Sequence, residues 1–102
     1  MKHLTLIVHT SVKQDLSDQL RSMEKISGFT FSPAEGHGVQ AENDPFLSSR
    51  DKVVGYTPRV RVDILLEESD VDIVLDTLRT STSGIKGQAI FWVSNIEKNG
   101  HL

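Results

Sequence analysis

The nine residues Pro58 to Leu66, PRVRVDILL, alternate without a break. Val60, Val62, Ile64 and Leu66 occupy one parity, and Arg59, Arg61, Asp63 and Leu65 the other. A period of two with one apolar face is the pattern of a strand that packs one side on a core. Pro58 suits the start of such a strand, because it cannot donate to a central ladder. Working outward, Ser69 offers a helix cap with Asp72 at the capping-box position, and Asp70 in the first turn favours the helix dipole. Val71, Val74, Leu75 and Leu78 then form a helical stripe that ends near Thr80. The small-residue stretch TSTSGIKG leads to a last strand, Gln88 to Ile96. That strand is apolar at both parities through Ala89, Ile90, Phe91, Trp92 and Val93. It reads as a central strand, or as an edge that another subunit covers.

The half before Pro58 repeats the order. Leu4, Leu6 and Val8 alternate with Thr5, Ile7 and His9 as a strand. Thr10 or Ser11 is the expected cap, with Gln14 completing a capping box after Ser11. Val12, Leu16, Leu20 and Met23 line a helix expected to run to about Lys25 and to stop at Ser27-Gly28, with Gly28 in a left-handed conformation. Phe29 and Phe31 begin a second strand. Between the halves lies Gly36 to Pro58, GHGVQAENDPFLSSRDKVVGYTP. A polar, aperiodic connection of this length in a compact domain marks a functional loop or a disordered one. The order βαβ, loop, βαβ predicts an α+β, ferredoxin-like sandwich over residues 1–102 as one domain: a four-stranded antiparallel sheet with two helices on one face and a long loop at about 36–58.

Composition narrows the function classes. The chain is 37% hydrophobic and 25% charged, in the range of a soluble globular domain. A net charge of -3 argues against a general nucleic-acid binder, which needs a basic face. No apolar run approaches the ~18 residues of a membrane span, and the N-terminus has no cleavage-site pattern, so the chain reads as cytoplasmic. With no cysteine, it has no thiolate catalysis, disulfide or zinc–thiolate site. Ser48, Ser49, Asp51 and His37 fall in the long loop, where nothing rigid holds a triad, so an enzyme is not expected. His3 and His9 share strand parity but lie about 20 Å apart at ~3.3 Å per residue, too far to share an ion. A metal site would need His37, His101 or symmetry copies. Arg59 and Arg61, on the more polar face of their strand, are expected to meet an anion or, in preference, a neighbouring subunit's carboxylate.

The order and spacing of these pieces resemble the PII signal-transduction superfamily. Pro58-Arg59-Val60-Arg61-Val62, Val71-Asp72-Ile73-Val74, the turn Thr80 to Gly87 and Ile90-Phe91 are similar to its second half, and Gly36-His37-Gly38-Val39-Gln40 resembles the start of its T-loop. The resemblance implies a homotrimer, a T-loop that engages a protein partner, and a small-molecule effector in a cleft between subunits. It implies ligand contacts at Gly36, His37, Gly38, Gln40, Lys86 and Gly87, and partner contacts at Phe46, Leu47, Arg50, Lys52 and Tyr56. It also implies weakened ATP binding. Val39 stands where the family has an arginine, Gln88-Ala89 replace a Gly-Lys step before Ile90, and Asn99 to Leu102 offer no counterpart of a C-terminal arginine pair. CutA-type proteins, another trimeric relative linked to metal tolerance, supply the alternative reading, a metal-binding trimer with His37 or His101 as ligands.

Overall fold

A computed structural model describes residues 1–37, 57–82, 85 and 89–102. Strand β1 spans Lys2–His9, helix α1 Lys13–Ser22, β2 Phe29–Gly36, β3 Thr57–Leu66, helix α2 Val71–Ser81 and β4 Ile90–Asn95. A 3-10 turn precedes each helix, Thr10–Val12 and Glu68–Asp70. The four strands form one sheet in the order β2-β3-β1-β4, and every neighbouring pair is antiparallel. The fold is therefore the expected α+β ferredoxin-like sandwich.

Register places the core. Leu4 lies opposite Ile64, Leu6 opposite Val62 and Val8 opposite Val60, so the even-numbered residues of β1 and β3 share one face. Those six residues are buried in one cluster with Leu16 and Leu20 of α1 and Val71, Val74, Leu75 and Leu78 of α2. Both helices cover that face. The odd-numbered face stays open: His3, Thr5, Ile7 and His9 of β1 lie in rows with Leu65, Asp63, Arg61 and Arg59 of β3. Ser94, Trp92 and Ile90 of β4 continue the rows beside His3, Thr5 and Ile7.

The helix ends differ from expectation. α1 stops at Ser22, with Met23 in an extended conformation at φ -89° and ψ 117°. Gly28 takes no left-handed conformation; among the described residues only Gly100 has a positive φ. The reason is packing. A turn closed by the Ile26 N–H on the Met23 carbonyl at 3.2 Å brings both side chains back onto the core. That gain outweighs another helical turn. At the helix start, neither Thr10 nor Ser11 is the cap. His9 caps the 3-10 turn, its Nδ1 accepting the Ser11 N–H at 3.0 Å, and α1 itself follows Val12 without a side-chain cap. Ser69 likewise sits inside the second 3-10 turn, which opens after Glu67 without a side-chain cap. Glu68, Asp70 and Asp72 still place negative charge at this helix start, where the dipole favours it.

β4 is an edge strand beside β1, not a central one. Its hydrophobic residues are exposed on both faces: Ile90 64%, Phe91 45%, Trp92 43% and Val93 40%. Leu20, fully buried between α1 and the sheet, has no such freedom. Leu20→Ala should lower stability by about 2–5 kcal/mol, the range for a large-to-small change in a core that collapses only partly, measured by denaturant unfolding. Ile73→Ala, on the exposed side of α2, should cost far less.

Candidate functional site

Two places on the molecule gather polar chemistry. The first is the open sheet face. Asp63 on β3 is held from both sides. Arg61 donates its Nε to Asp63 Oδ1 at 3.1 Å and Oδ2 at 3.2 Å, and its Nη2 lies 3.1 Å from Oδ1. His3 Nε2, one strand away, lies 2.7 Å from the same Oδ1. The Thr5 hydroxyl completes the group, 3.2 Å from His3 Nε2 and 3.5 Å from Asp63 Oδ1. The Arg61 guanidinium also sits over the Trp92 ring at 5.9 Å. The antiparallel register makes the cluster: Thr5 lies directly opposite Asp63 on one side and Trp92 on the other, with His3 and Arg61 two residues from them on the same face.

Arg61, expected to meet an anion or a carboxylate across a subunit boundary, has a carboxylate within its own chain. Its carboxylate partner is Asp63 of its own chain, two residues along the same strand face. Burial pushes the Asp63 carboxyl up, but hydrogen bonds and charge from Arg61 and His3 outweigh it and hold the group below its ordinary value of 3.8.

The second place is the end of the sheet where the chain leaves β2 and returns to β3. The two strands pair out to Gly36 opposite Thr57, so Pro58 and Gly36, expected in the loop, lie within the ladder. Gly36 is required there: a Cβ at this position would stand 2.8 Å from Arg59 Cγ and 3.0 Å from its Nε. The Arg59 side chain crosses over the glycine and faces a cleft of about 370 Å³ lined by Thr10, Lys13, Phe31, Ser32 and Pro33. The Lys13 ammonium lies over the Phe31 ring at 5.6 Å. Two cations, two hydroxyls and an aromatic wall give this cleft the chemistry of an anion site.

Of the residues expected to bind a ligand, Gly36 sits at this end and His37 follows it, exposed, 3.4 Å from Glu35 Oε2. Gly38, Gln40, Lys86 and Gly87 lie outside the described residues, as do Phe46, Leu47, Arg50, Lys52 and Tyr56. His101 follows β4, whose last residue, Asn95, is paired with Lys2 at the opposite end of the sheet from His37. Among the described residues, no group of three or more His, Asp or Glu is placed to hold a metal ion. Sequence reading missed the His3–Thr5–Asp63–Arg61 group and the Lys13–Arg59 cleft. The shared strand parity of His3, Thr5, Arg61 and Asp63 was the available signal, but only the β1–β3 register shows that they meet.

Sequence relatives span nearly the whole chain. It is 24% identical over 99 residues to the nitrogen regulatory protein P-II of Rhizobium meliloti (strain 1021), covering 96% of this chain and 88% of that protein. It is 26% identical over 94 residues to the P-II protein of Rhizobium leguminosarum bv. viciae, covering 89% and 85%. It is 23% identical over 99 residues to the nitrogen regulatory protein GlnK of Escherichia coli (strain K12), covering 96% and 88%. These likenesses, with the ferredoxin-like sheet, make the chain a divergent PII-like protein. All of it, residues 1–102, matches the family described as "Protein of unknown function (DUF3240)", and the chain belongs to that family. The crystal structure of a DUF3240 family protein from Shewanella baltica OS155 shares the fold, with a TM-score of 0.77 at 22% identity over 99% of this chain and 94% of that one.

The Asp63 group predicts a pH signature. Its folded-state carboxyl is held below the ordinary range, so its stabilisation is present above about pH 4 and is lost as pH falls through the folded value. Asp63→Asn should cost about 1 kcal/mol at pH 7, a value discounted for partial exposure. Thermal melts of the two proteins should converge as pH drops below ~4. A gap that persists unchanged at pH 2.5 would mean that packing, not charge, carries the effect.

Proposed function

We propose that this protein is a cytoplasmic regulatory protein of the PII-like kind. It works as a homotrimer, engages a protein partner through the connection between β2 and β3, and is tuned by a small ligand at the base of that connection. The observation that carries the reading is likeness to nitrogen regulatory proteins over 96% of the chain. The apolar exposure of β4 supports the trimer, because four large hydrophobics on one edge strand need cover that the single chain does not supply. The cleft beside Gly36, with Lys13 and Arg59, supports a ligand at the loop base. Among the described residues no helix is long and apolar enough to cross a membrane, which is compatible with a cytoplasmic site of action.

Within that reading, Gly36, His37, Gly38, Gln40, Lys86 and Gly87 contact the ligand. Phe46, Leu47, Arg50, Lys52 and Tyr56 meet the partner, with the apolar residues as anchors and the cations steering approach. The protein is a binding protein and not an enzyme. ATP is held more weakly than in the nitrogen regulators, since Val39 and Gln88-Ala89 stand where the resemblance expects an arginine and a Gly-Lys step that grip phosphate.

Replacement of residues 41–55 by a short Gly-Ser linker tests the division of labour. Light scattering should still give a mass of three chains with a nearly unchanged melting temperature, since closure entropy depends weakly on loop length. Partner capture by the intact protein as bait should be lost in the shortened one. A monomer in either form, or dissociation on shortening, would overturn the reading.

ATP calorimetry supplies a separate check. Loss of two charge-assisted phosphate contacts should weaken binding by on the order of 100-fold or more relative to a nitrogen regulatory protein titrated in parallel. Equal affinity would mean that Lys13 or Arg59 has taken over the phosphate role.

A further inference from the structure

The helix layer carries a groove of about 570 Å³ whose residues are distinct from those of the cleft beside Gly36. One wall is the stretch where the chain turns inward after α1, Met23 with Glu24 and Lys25. The other is α2 and the turn before it, Asp70, Ile73, Val74 and Thr77. Their spacing of three, one and three puts these four on one helix face. Val74 is buried, Met23 packs against the core, and Ile73 beside them is 51% exposed. The stripe of α2 that the core uses is therefore continued, in this groove, by an aliphatic side chain that the core does not cover.

The surroundings are acidic. Glu67, Glu68, Asp70, Asp72 and Asp76 fall within ten residues that contain no cation, and Glu24 stands on the opposite wall. Three cations answer these six acids. Lys25 lies 3.5 Å from Asp70, Lys2 3.8 Å from Glu68 and Arg79 3.1 Å from Asp76. Six acids less three cations leave -3 on this flank, which is the net charge of the whole chain. Asp72 and Asp76 stand four residues apart on the helix, a spacing at which like charges repel and weaken it. A cation from outside would relieve that repulsion. The Lys25–Asp70 pair points the same way. Asp70 is the covered member, its side chain 17% exposed, and Lys25 is 52% exposed. An ion pair with its cation so open to water holds weakly, so another cation can take the place of Lys25 at Asp70.

We propose that this groove docks a basic segment of a partner protein, with lysines or arginines on either side of one aliphatic side chain. The aliphatic group lies against Met23, Ile73 and Val74. The cations meet Asp72 and Asp76 on one side and Asp70 and Glu24 on the other. Burial of the anchor supplies affinity, and the charges steer approach and select the partner. The same field repels the phosphates of nucleic acid and of anionic lipid, which leaves a cationic peptide as the complementary occupant. This surface is separate from the β2–β3 connection, and its test depends neither on that connection's partner nor on the number of subunits.

The probe is a fluorescein-labelled synthetic peptide of lysines flanking a central leucine, titrated by anisotropy into the intact chain at low salt. Ile73→Ala should weaken binding by about tenfold, the worth of part of one aliphatic contact. Asp72→Asn with Asp76→Asn should weaken it by about three- to tenfold, a difference that shrinks as salt rises. Lys25→Gln removes the competing cation and should tighten it. All three proteins should melt near the parent, since the changed side chains lie on the exposed side of the helix layer. Glu35→Gln with Asp18→Asn removes two acids elsewhere and should bind as the parent does. The proposal is overturned by no binding at low salt, by equal binding of a peptide with glycine in place of leucine, by binding unchanged in Ile73→Ala, or by an equal loss in the Glu35–Asp18 control. Binding that Lys25→Gln weakens would also overturn it. A fall in the light-scattering mass on Ile73→Ala would mean that a second copy fills the groove, and would overturn the basic segment as its occupant.

Discussion

The pairing of β1 with β3 is the constraint on which the rest of the molecule depends. β1 is bonded on both sides, to β3 and to β4, and β3 in turn carries β2. Their register sets Leu4, Leu6 and Val8 against Ile64, Val62 and Val60 on the face under the helices. A one-residue slip of β1 against β3 would turn Leu4, Leu6 and Val8 outward and bring His3, Thr5 and His9 into the core. The cost of burying those groups without water is several kcal/mol, which makes the register effectively unique. The helices follow from it. Leu16, Leu20, Val74 and Leu78 have a surface to cover only because the even-numbered residues of both strands point the same way.

The same register builds the polar group on the other face. Asp63 is satisfied by a guanidinium from its own strand and an imidazole from the next, so a carboxylate sits in the row Thr30–Asp63–Thr5–Trp92 without a bare charge. Such a group adds little net stability where water still reaches it, but it fixes geometry. It ties β1 to β3 on the side the helices leave uncovered, and it positions Trp92 on β4 through the stacked Arg61. The open face is thus prepared as a surface, part apolar and part locked by charge, and not left as an unfinished core.

The far end of the sheet is organised by close approach of backbone and side chain. Gly36 exists because Arg59 passes over it, and that passage aims a cation toward Lys13 and the Phe31 wall at the point where the long connection begins. Scaffold and site are therefore not separate parts. The last ladder pair of the scaffold, Gly36 with Thr57, stands beside Arg59, which lines the cleft, so the cleft rests on a rigid strand end.

Much of this was legible in the sequence. The alternation from Val60 to Leu66 and from Leu4 to Val8, and the stripe from Val71 to Leu78, follow from side-chain period alone, and the doubled strand–helix–strand order leaves few topologies. The glycine and proline positions marked where the connection starts and stops to within a residue. The tertiary structure decided what local rules cannot see. α1 ended early because Met23 and Ile26 had a core to return to, and His9 displaced the serine cap because the strand end delivered its ring to the Ser11 N–H. The residues of β4 read equally as a central strand or as an edge that another subunit covers, and only the sheet places it at an edge, since the number of neighbours a strand has is a property of the sheet and not of the strand. The Asp63 group was invisible for the same reason: its members stand sixty residues apart in the chain, and only the pairing of β1 with β3 makes them neighbours.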